Sequence, residues 1–313
     1  MADKKATRKS YGEELARLGK ENNKIVALDA DLSVSTQSSV FAREFPDRFF
    51  EMGIAEANMI GTAAGLAFAG KIPFISSFAC FLTGRYDIIR ISVAYSKANV
   101  KIVGSHSGVA IGEDGTTQMG LEDINLMRGL PNFNVFHPGG DLETKAIVKY
   151  MADNEGPMYL RTTRQNLESI DEDKHPFVFG KGNILKDGHD LTIFSCGGTL
   201  ANSYYAAKEL ENEGLSVRVV NIHTIKPIDV ELITKCASET KGILTAEDHN
   251  IIGGLGSAVA EALSEHMPAK LKRIGINDRF GESGKPEDLY KFFMLDVNGI
   301  KTQIKEFAQK VLK

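Results

Sequence analysis

The stretch RFFEMGIAEANMIGTAAGLAFAGKIPFISS, residues 48–77, contains the pattern that decides the fold. Residues 48–53 carry an aromatic, strand-like run, and the small and apolar residues that begin near Glu56 predict a helix that looks buried. Residues 71–77 are β-branched and aromatic and predict a second strand. A strand, a helix and a strand in this order are typical of a parallel sheet with a crossover helix.

The same alternation continues along the rest of the chain. β-branched runs predict further strands at residues 24–29, 99–105, 133–138, 158–163, 191–195, 216–222 and 242–247. Helical patterns lie between these runs, including residues 81–97 and 141–154. We therefore predict an α/β fold with parallel sheets and crossover helices.

A polar, acidic stretch near residues 168–190 separates two series of such units and is the best candidate for a linker. We predict two α/β domains, a first domain at residues 1–175 and a smaller second domain at residues 188–313. The linker is predicted at residues 176–187. A chain of 313 residues is long enough for two domains of ordinary size.

Composition argues against several functional classes. The net charge of −4 offers no basic stripe for nucleic acid. No run reaches the roughly 18 apolar residues that a membrane span needs, and residues 1–12 lack the apolar core of a signal peptide. Cys80, Cys196 and Cys236 form no CxxC pair, which favours a reducing, cytoplasmic compartment.

Glu56 is the only charged residue in the stretch 53–70. A carboxylate in the first turn of a helix is stabilised by the helix dipole by roughly 0.3–1 kcal/mol, which is one sufficient reason for its position. The small residues that follow it suggest close packing against another backbone. A carboxylate held there is desolvated, which makes Glu56 a candidate acid or base at an interface. These residues alone leave both interpretations open.

A long glycine-rich segment, GSHSGVAIGEDGTTQMGLED at residues 104–123, follows a predicted strand. Ligands bind beyond the carboxyl ends of strands in such sheets, so His106, Asp114 and Gln118 are candidates for contact with a sugar or a phosphate. Phe78 and Phe81 lie three residues apart at a strand-to-helix junction. A plain turn and ordinary core aromatics are the alternatives for these two segments.

The motifs closely resemble the C-terminal half of transketolase in content and in order, and the resemblance covers almost the whole chain. They are ATRKSYGEEL (6–15), ALDADLSVST (27–36), GIAEANM (53–59), SSFACF (76–81), the segment 104–123, MRGLPNFNVFHPGG (127–140), RTTRQN (161–166), IKPIDVELI (225–233), TAEDHNIIGGLGSAV (245–259) and SGKPEDLY (283–290). The resemblance implies a pyrimidine-binding domain of the thiamine diphosphate-binding fold, followed by a transketolase C-terminal domain.

The resemblance also implies a cofactor, thiamine diphosphate, bound at its pyrimidine end. By the motif match, Glu56 bonds N1′ of the aminopyrimidine and favours the imino tautomer that takes the proton from C2 of the thiazolium. Phe78 and Phe81 line the pyrimidine pocket, and Phe81 stacks on the ring. Gln118 lies near the pyrimidine and the substrate, and Asp31 matches an acid beside the cofactor.

The same resemblance implies a sugar phosphate substrate. The residues that match its binding positions are Arg8, Ser35, His106, Asp114 and Arg164. Arginine suits phosphate because its planar fork gives paired, charge-assisted hydrogen bonds, and Asp114 matches an acid that contacts a hydroxyl of the donor. The chain departs from some transketolases at Gly84, where they carry tyrosine. We expect nearby Tyr86 to form that part of the pocket wall instead.

One half of the cofactor site is missing from the sequence. The family holds the diphosphate through Mg²⁺ with a GDG motif and a later asparagine, and no GDG motif occurs here. GEDG at 112–115 matches sugar binding instead, and GGLGSA at 253–258 is read as a tight strand-to-helix turn. We expect a split enzyme rather than a fragment, because the chain begins with methionine at a sensible domain boundary. A partner N-terminal subunit would supply the Mg²⁺ ligands in an α2β2 heterotetramer.

The resemblance favours transketolase activity, the reversible transfer of a two-carbon ketol unit from a ketose phosphate to an aldose phosphate in pentose phosphate metabolism. Other thiamine diphosphate enzymes are alternatives, namely 1-deoxy-xylulose-5-phosphate synthase and the β subunit of a 2-oxo acid dehydrogenase. A split transketolase for an unusual branched sugar is a third. A non-catalytic partner subunit is the alternative from another class, although such a chain would have no need of Glu56.

Overall fold

The computed structural model describes residues 4–312. Its strands are β1 (Lys4–Ala6), β2 (Ile25–Asp29), β3 (Phe49–Glu51), β4 (Ile72–Phe78), β5 (Lys101–Ser105), β6 (Asn134–Phe136), β7 (Met158–Arg161), β8 (Asn166–Glu168), β9 (Asn183–Lys186), β10 (Leu191–Ser195), β11 (Val217–Asn221), β12 (Thr224–Lys226), β13 (Ile243–Asn250) and β14 (Leu271–Ile276). Seven of them form one sheet, five form another, and β1 pairs with β8.

The α-helices lie between these strands and at the end of the chain. They are α1 (Thr7–Glu21), α2 (Ser33–Thr36), α3 (Ser39–Glu44), α4 (Glu56–Phe68), α5 (Ala79–Thr83), α6 (Tyr86–Ile88), α7 (Asp123–Gly129), α8 (Asp141–Asp153), α9 (Leu200–Glu211), α10 (Val230–Glu239), α11 (Leu255–His266), α12 (Pro286–Phe292) and α13 (Val297–Val311). Within residues 4–312, none of these helices combines the length and the apolarity that a membrane crossing requires.

The first sheet has the strand order β12-β6-β7-β5-β4-β2-β3. Its six strands from the first half of the chain run parallel, as the strand–helix–strand pattern predicts. Strands β2 and β5 are buried along their whole length, because helices cover both faces of a parallel sheet. The α/β fold class is confirmed.

The second sheet has the order β14-β13-β10-β11-β9 and is parallel except for the edge strand β9. Part of the predicted linker is therefore wrong, since residues 183–186 form β9. Ile184 of this strand packs partly buried against the core, although the polar residues around it hide that role in the sequence. The domain limits at 175 and 188 stay predictions.

The two halves of the chain share one sheet. Strand β12, from the second half, pairs antiparallel with β6 at the edge of the first sheet. Thr224 lies opposite Phe136, and Lys226 donates from Nζ to the carbonyl oxygens of Arg128 and Leu130, at 3.0 and 2.5 Å. The second domain is thus joined to the first by backbone pairing as well as by packing.

Two helix predictions need correction. The predicted helix at 81–97 is broken into α5, α6 and a π-helical segment at Ile89–Tyr95, because Gly84, a poor helix former, follows α5. Helix α4 is not buried all round, since Gly61 and Gly65 are exposed and a Cβ at either would meet nothing within 4 Å. Gly61 and Gly65 therefore do not pack against another part of this chain, whereas Ala63 and Ala64 on the other face of α4 are buried in the core.

A buried carboxyl links α8 of the first domain to β11 of the second. Glu143 Oε2 accepts from the Gly139 N–H at 2.6 Å, and Glu143 Oε1 accepts from Asn221 Nδ2 at 2.6 Å. Burial raises the pKa of Glu143 to about 8. The Oδ1 atom of Asn221 is buried and has no hydrogen-bond partner within residues 4–312, so a flipped Asn221 amide can accept from a protonated Glu143.

Glu143 gives the folded chain a defined dependence on pH. The folded pKa of about 8 lies above the unfolded value of 4.5, so the folded state binds the extra proton between these values. The free energy of unfolding should therefore fall as pH rises from 5 to 8. We expect Glu143→Gln to remove roughly 2–4 kcal/mol of that fall, measured by urea unfolding at both pH values. The same fall in the variant as in the unsubstituted chain would contradict the assignment.

Candidate active site

The predicted site residues gather at the carboxyl edge of the first sheet. Strand β2 ends at Asp29, β4 at Phe78, β5 at Ser105 and β7 at Arg161. These four strands are neighbours in the sheet, so the loops that follow them meet at one edge. This edge is where parallel α/β sheets bind their ligands.

Glu56 is the first residue of α4 and is 5% exposed. Its Oε1 accepts one hydrogen bond, from the Ser77 hydroxyl at 3.3 Å, which places the carboxyl beside the end of β4. A carboxylate has about four acceptor positions, so Glu56 keeps free capacity for a further donor. The structure thus buries Glu56 at the predicted edge and leaves it able to bond a ring N–H.

Three rings stack on one another near the carboxyl end of β4. The rings of Phe78 and Phe81 are nearly parallel, at 10°, with centroids 5.5 Å apart. The imidazole of His106 stacks on Phe78 at 3.9 Å. Phe78 directly follows Ser77, the partner of Glu56, so the aromatic cluster and the carboxyl both lie at the end of β4. Flat apolar faces next to a buried acceptor suit a heteroaromatic ring that has a donor on its edge.

His106 is held as a neutral imidazole. Arg8 Nη1 lies 3.0 Å from His106 Nε2, and the Ser105 hydroxyl lies 2.9 Å from Nδ1. A guanidinium only donates, so Nε2 accepts and the ring proton belongs on Nδ1, which donates to Ser105. Burial, with the positive charges of Arg8 and Arg164, lowers the pKa of His106 to about 3.

Arg8 joins the loop after β2 to this histidine. Its Nη1 also donates to the Ser35 carbonyl at 2.7 Å, so Arg8, Ser35 and His106 come together as predicted. Burial and the neighbouring Arg164 lower the pKa of Arg8. Its Nε is buried and, among the described residues, has no hydrogen-bond partner. Two guanidinium groups near each other, one with an unsatisfied donor, suit an anion.

Arg164 and Asp114 face each other at the rim. Arg164 Nη1 lies 3.4 Å from Asp114 Oδ2, and the two side chains are 40% and 41% exposed. The same nitrogen donates to the Ile111 carbonyl at 2.6 Å. An exposed ion pair of this kind contributes little to stability, so both groups can turn to a ligand at low cost.

The loop after β2 depends on a residue that the sequence analysis did not single out. Asp29 is fully buried and accepts from the Leu32 N–H at 2.7 Å and from the hydroxyls of Thr36 and Ser38 at 2.6 and 2.8 Å. Burial raises the pKa of Asp29 to about 6. Its position at the end of a buried strand was the signal that could have identified it.

The other predicted residues are less well connected. Asp31 is exposed at φ 63°, and its N–H donates to Glu51 Oε1 at 2.7 Å, so it lies beside the segment that leads to Glu56. Gln118 is half-buried at the end of a 3₁₀ turn. Tyr86 packs against the cluster that contains Met59 and Ile60 of α4, whereas Phe78 and Phe81 belong to another cluster. The expected place of Tyr86 in the pocket wall stays a prediction.

The structure fits the pyrimidine end of thiamine diphosphate better than its metal-bound end. Glu56 with its free acceptor capacity and the stacked Phe78 and Phe81 provide the features that an aminopyrimidine needs. Within residues 4–312, no three His, Cys, Asp or Glu side chains cluster as metal ligands do. Residues of this chain could therefore hold the ring.

Two family models match the chain. Residues 3–169 match the transketolase pyrimidine-binding domain, and residues 180–300 match the transketolase C-terminal domain. The fold and the site thus define a pyrimidine-binding α/β protein of the thiamine diphosphate-dependent class. The chain belongs to the transketolase family, and its resemblance to the C-terminal half of transketolase is confirmed.

Similar proteins include both split and full-length forms. A putative transketolase C-terminal section from Methanocaldococcus jannaschii is 48% identical, covering 98% of this chain and 97% of that protein. A 6-deoxy-6-sulfo-D-fructose transketolase subunit from a Clostridium species is 39% identical, covering 97% and 94%. Human transketolase is 40% identical over 99% of this chain, which spans 50% of the human protein.

A solved structure agrees with these relatives. A split gene transketolase, described as an inactive beta4 tetramer, superposes with a TM-score of 0.90 at 47% identity and covers 98% of both chains. The transketolase of Campylobacter jejuni superposes with a TM-score of 0.83 at 23% identity over 47% of its chain, which shows the shared fold.

Proposed function

We propose that this chain is the C-terminal subunit of a split, thiamine diphosphate-dependent transketolase that moves a two-carbon ketol unit from a ketose phosphate to an aldose phosphate. The observation that carries the proposal is the buried carboxyl of Glu56, bonded to Ser77 at the end of β4. At the same end of β4, the stacked Phe78 and Phe81 lead through His106 to Arg8. The cofactor, when bound, supplies the nucleophilic carbon and stores the carbanion.

The residues of this chain have separate tasks in that proposal. Glu56 accepts a hydrogen bond from the ring nitrogen of the pyrimidine and holds its proton there, in a position from which α4 and β4 exclude water. Phe78 and Phe81 orient the ring by stacking, Gln118 approaches from the facing loop, and Asp31 lies beside the entrance.

The anionic end of the sugar is assigned to the two arginines. Arg8 presents an unsatisfied Nε, and Arg164 can exchange its exposed bond to Asp114 for a phosphate. His106 is neutral, because burial and the charges of Arg8 and Arg164 lower its pKa to about 3. Both of its ring nitrogens are already bonded, so in this proposal a sugar hydroxyl takes the place of Arg8 or Ser105 at one of them. Ser35 and Asp114 complete the hydroxyl contacts in this proposal.

The partner is proposed to be an N-terminal subunit that carries the diphosphate-binding domain and the Mg²⁺ ligands, in an α2β2 heterotetramer. Three observations support it: the chain spans half of human transketolase, a similar chain alone is described as an inactive beta4 tetramer, and the small-residue face of α4 beside Glu56 is exposed. The cytoplasmic location stays a prediction, supported by three free cysteines.

A sulfonated donor is a second candidate. A relative at 39% identity is named for 6-deoxy-6-sulfo-D-fructose, and its identity to this chain is close to the 40% of human transketolase. A sulfonate and a phosphate are both tetrahedral anions whose oxygens can accept hydrogen bonds from Arg8 and Arg164, although the phosphate carries the larger negative charge. The comparison of kcat/KM for xylulose 5-phosphate and 6-deoxy-6-sulfo-D-fructose distinguishes these two donors.

The decisive experiment is an assay of ketol transfer by the tagged chain recovered from its native lysate. The assay contains thiamine diphosphate, Mg²⁺, xylulose 5-phosphate or the sulfonated donor, and ribose 5-phosphate. The tagged Glu56→Gln variant, recovered in the same way, is the matched control, because it should capture the partner without its activity. We expect transfer only with the unsubstituted chain and its co-purified subunit. Transfer by the recombinant chain alone would contradict the need for a partner, and transfer from neither donor would contradict the activity.

Arg164→Ala tests the phosphate contact. We expect KM for the ketose phosphate to rise about 10–100-fold, since a hydrogen bond to a charged group contributes roughly 1.5–3 kcal/mol. KM for the unphosphorylated analogue should change less than about twofold, because that substrate lacks the charge. Arg43→Ala, at an exposed arginine on α3, is the control. Equal effects on both substrates would exclude Arg164 from the phosphate.

A further inference from the structure

The loop that carries His106 and Asp114 is held by residues of both domains. On the first-domain side, Arg164 Nη1 donates to the Ile111 carbonyl at 2.6 Å, and the Ser107 hydroxyl donates to the Thr162 carbonyl at 3.0 Å. On the other side, the loop lies against β13 and against the segment 281–290 of the second domain.

Asp248, near the end of β13, anchors the start of this loop. It is 3% exposed, and its Oδ1 accepts from the Val109 N–H at 2.9 Å. Gly108 makes this approach possible, since a Cβ there would lie 2.1 Å from Asp248 Oδ2, and its φ is 79°. The backbone of β13 adds a bond of its own, from the Asn250 N–H to the Leu121 carbonyl at 2.9 Å.

Tyr290 of α12 completes a chain of hydrogen bonds across the domain boundary. Gln165 Nε2 donates to the Tyr290 hydroxyl at 2.8 Å, and that hydroxyl donates to Asp248 Oδ2 at 3.0 Å. Gln165 follows Arg164 directly, so the residue beside the predicted phosphate ligand is bonded to the residue that anchors the loop. Tyr290 is 7% exposed. Without its hydroxyl, Gln165 Nε2 and Asp248 Oδ2 would each lose a hydrogen-bond partner in a buried place.

The segment before Tyr290 lies along the rest of the loop. A Cβ at Gly112 would lie 3.1 Å from Pro286, and one at Gly115 would lie 2.4 Å from the Ser283 hydroxyl. Both glycines have positive φ, at 87° and 82°, so the loop depends on a backbone shape that few residues adopt. Such a shape persists where surrounding contacts specify it, and the second domain supplies those contacts.

We propose that Asp248 and Tyr290 are positioning residues through which the second domain fixes the loop 106–114 in its substrate-binding conformation. The Gln165–Tyr290–Asp248–Val109 chain of bonds carries the effect, and neither positioning residue contacts the reacting atoms. This inference rests on the proposed function in one respect: the proposed function is what assigns substrate contacts to His106 and Asp114 of the loop. The positioning itself is a property of the isolated chain.

Amide hydrogen exchange of the full isolated chain tests the positioning directly. In Tyr290→Phe we expect the amides of residues 109–112 to exchange at least about tenfold faster, while those of β10 in the centre of the second sheet stay unchanged. Tyr205→Phe is the matched control, since the Tyr205 hydroxyl also bonds a carboxylate across the domain boundary, that of Glu168, which is not part of the Gln165–Tyr290–Asp248–Val109 chain of bonds. Unchanged exchange at 109–112, or equal acceleration in β10, would overturn the proposal.

Kinetics of the assembled enzyme provide the second readout. Tyr290→Phe and Asp248→Ala should raise KM for the ketose phosphate by about 5–10-fold and change kcat less than about twofold, because loop order contributes to binding. Asp248→Asn keeps an acceptor for the Val109 N–H and should recover most of the loss. A fall in kcat without a change in KM would overturn the proposal. Absence of ketol transfer in the unsubstituted assembly would instead refute the proposed function, and hydrogen exchange would still decide the positioning.

Discussion

Glu56→Gln is expected to reduce ketol transfer by the assembled enzyme about 10²–10⁴-fold, which is the range for the loss of a positioned acid or base. The amide keeps the size of the side chain and can keep its bond to Ser77, while the change removes the negative charge and replaces one acceptor oxygen with an N–H donor. Steady-state assays at saturating thiamine diphosphate and Mg²⁺ measure the effect on kcat. Urea unfolding of the isolated variant should stay within about 1 kcal/mol of the unsubstituted chain, which is the limit of a helix-dipole effect.

A carboxylate in the first turn of another helix provides the control. Glu231 lies in the first turn of α10, is exposed and pairs with Lys181 at 2.7 Å in the second domain. Glu231→Gln removes the same dipole interaction without touching the proposed pyrimidine pocket and should leave kcat unchanged. Near-normal turnover in Glu56→Gln would show that Glu56 is only a charge at a helix start.

Arg161→Met is expected to lower the free energy of unfolding by roughly 3–5 kcal/mol, the usual cost of removing one partner of a buried ion pair. Arg161 Nε lies 2.8 Å from Asp123 Oδ2, and the side chains are 1% and 0% exposed. Arg161 also donates to the Gly120 carbonyl at 2.8 Å, and Tyr159 donates to Asp123 at 2.7 Å. The variant leaves the Asp123 charge buried with only a neutral donor, and urea unfolding at pH 7 measures the loss.

Two variants separate burial from charge. Asp153→Asn removes a pair of similar length, Lys149–Asp153 at 2.6 Å, in which both side chains are 54% exposed, and should cost less than about 1 kcal/mol. The double variant Arg161→Met with Asp123→Leu should recover part of the loss, because it leaves no buried charge unpaired. Equal losses at the buried and exposed pairs would contradict the dominance of burial.

Local sequence patterns predicted the elements that carry the site. Three elements could be predicted from local pattern: the strand within 48–53, the start of α4 at Glu56, and β4. Each combines a clear periodicity with a turn or a charge at its end. Arg8, Ser35 and His106 required the family resemblance as well. They lie far apart in the chain, and nothing local indicates that α1 and the end of β5 meet.

Long-range contacts explain what the sequence did not predict. The carboxyl of Asp248 lies 139 residues along the chain from the Val109 N–H that it binds, and no local pattern encodes such a pairing. The only signal available in the sequence was the run of three polar, titratable residues, Glu247, Asp248 and His249, at the end of a predicted strand. The sequence did not predict the exposed face of α4 for a related reason. A run of small residues indicates close packing, but it does not indicate whether the packing partner belongs to the same chain or to another.

The three-residue strand β12 has a consequence for how the chain folds. Strand β12 completes the first sheet by pairing with the outer edge of β6. A chain that ends before the predicted linker lacks β12, and nearly 50 further residues must be added before that edge has its partner. An uncovered edge is a template for pairing with other chains. We therefore expect a chain that ends between the halves to be more prone to aggregation than the full chain, because only the later strand β12 covers the edge of β6.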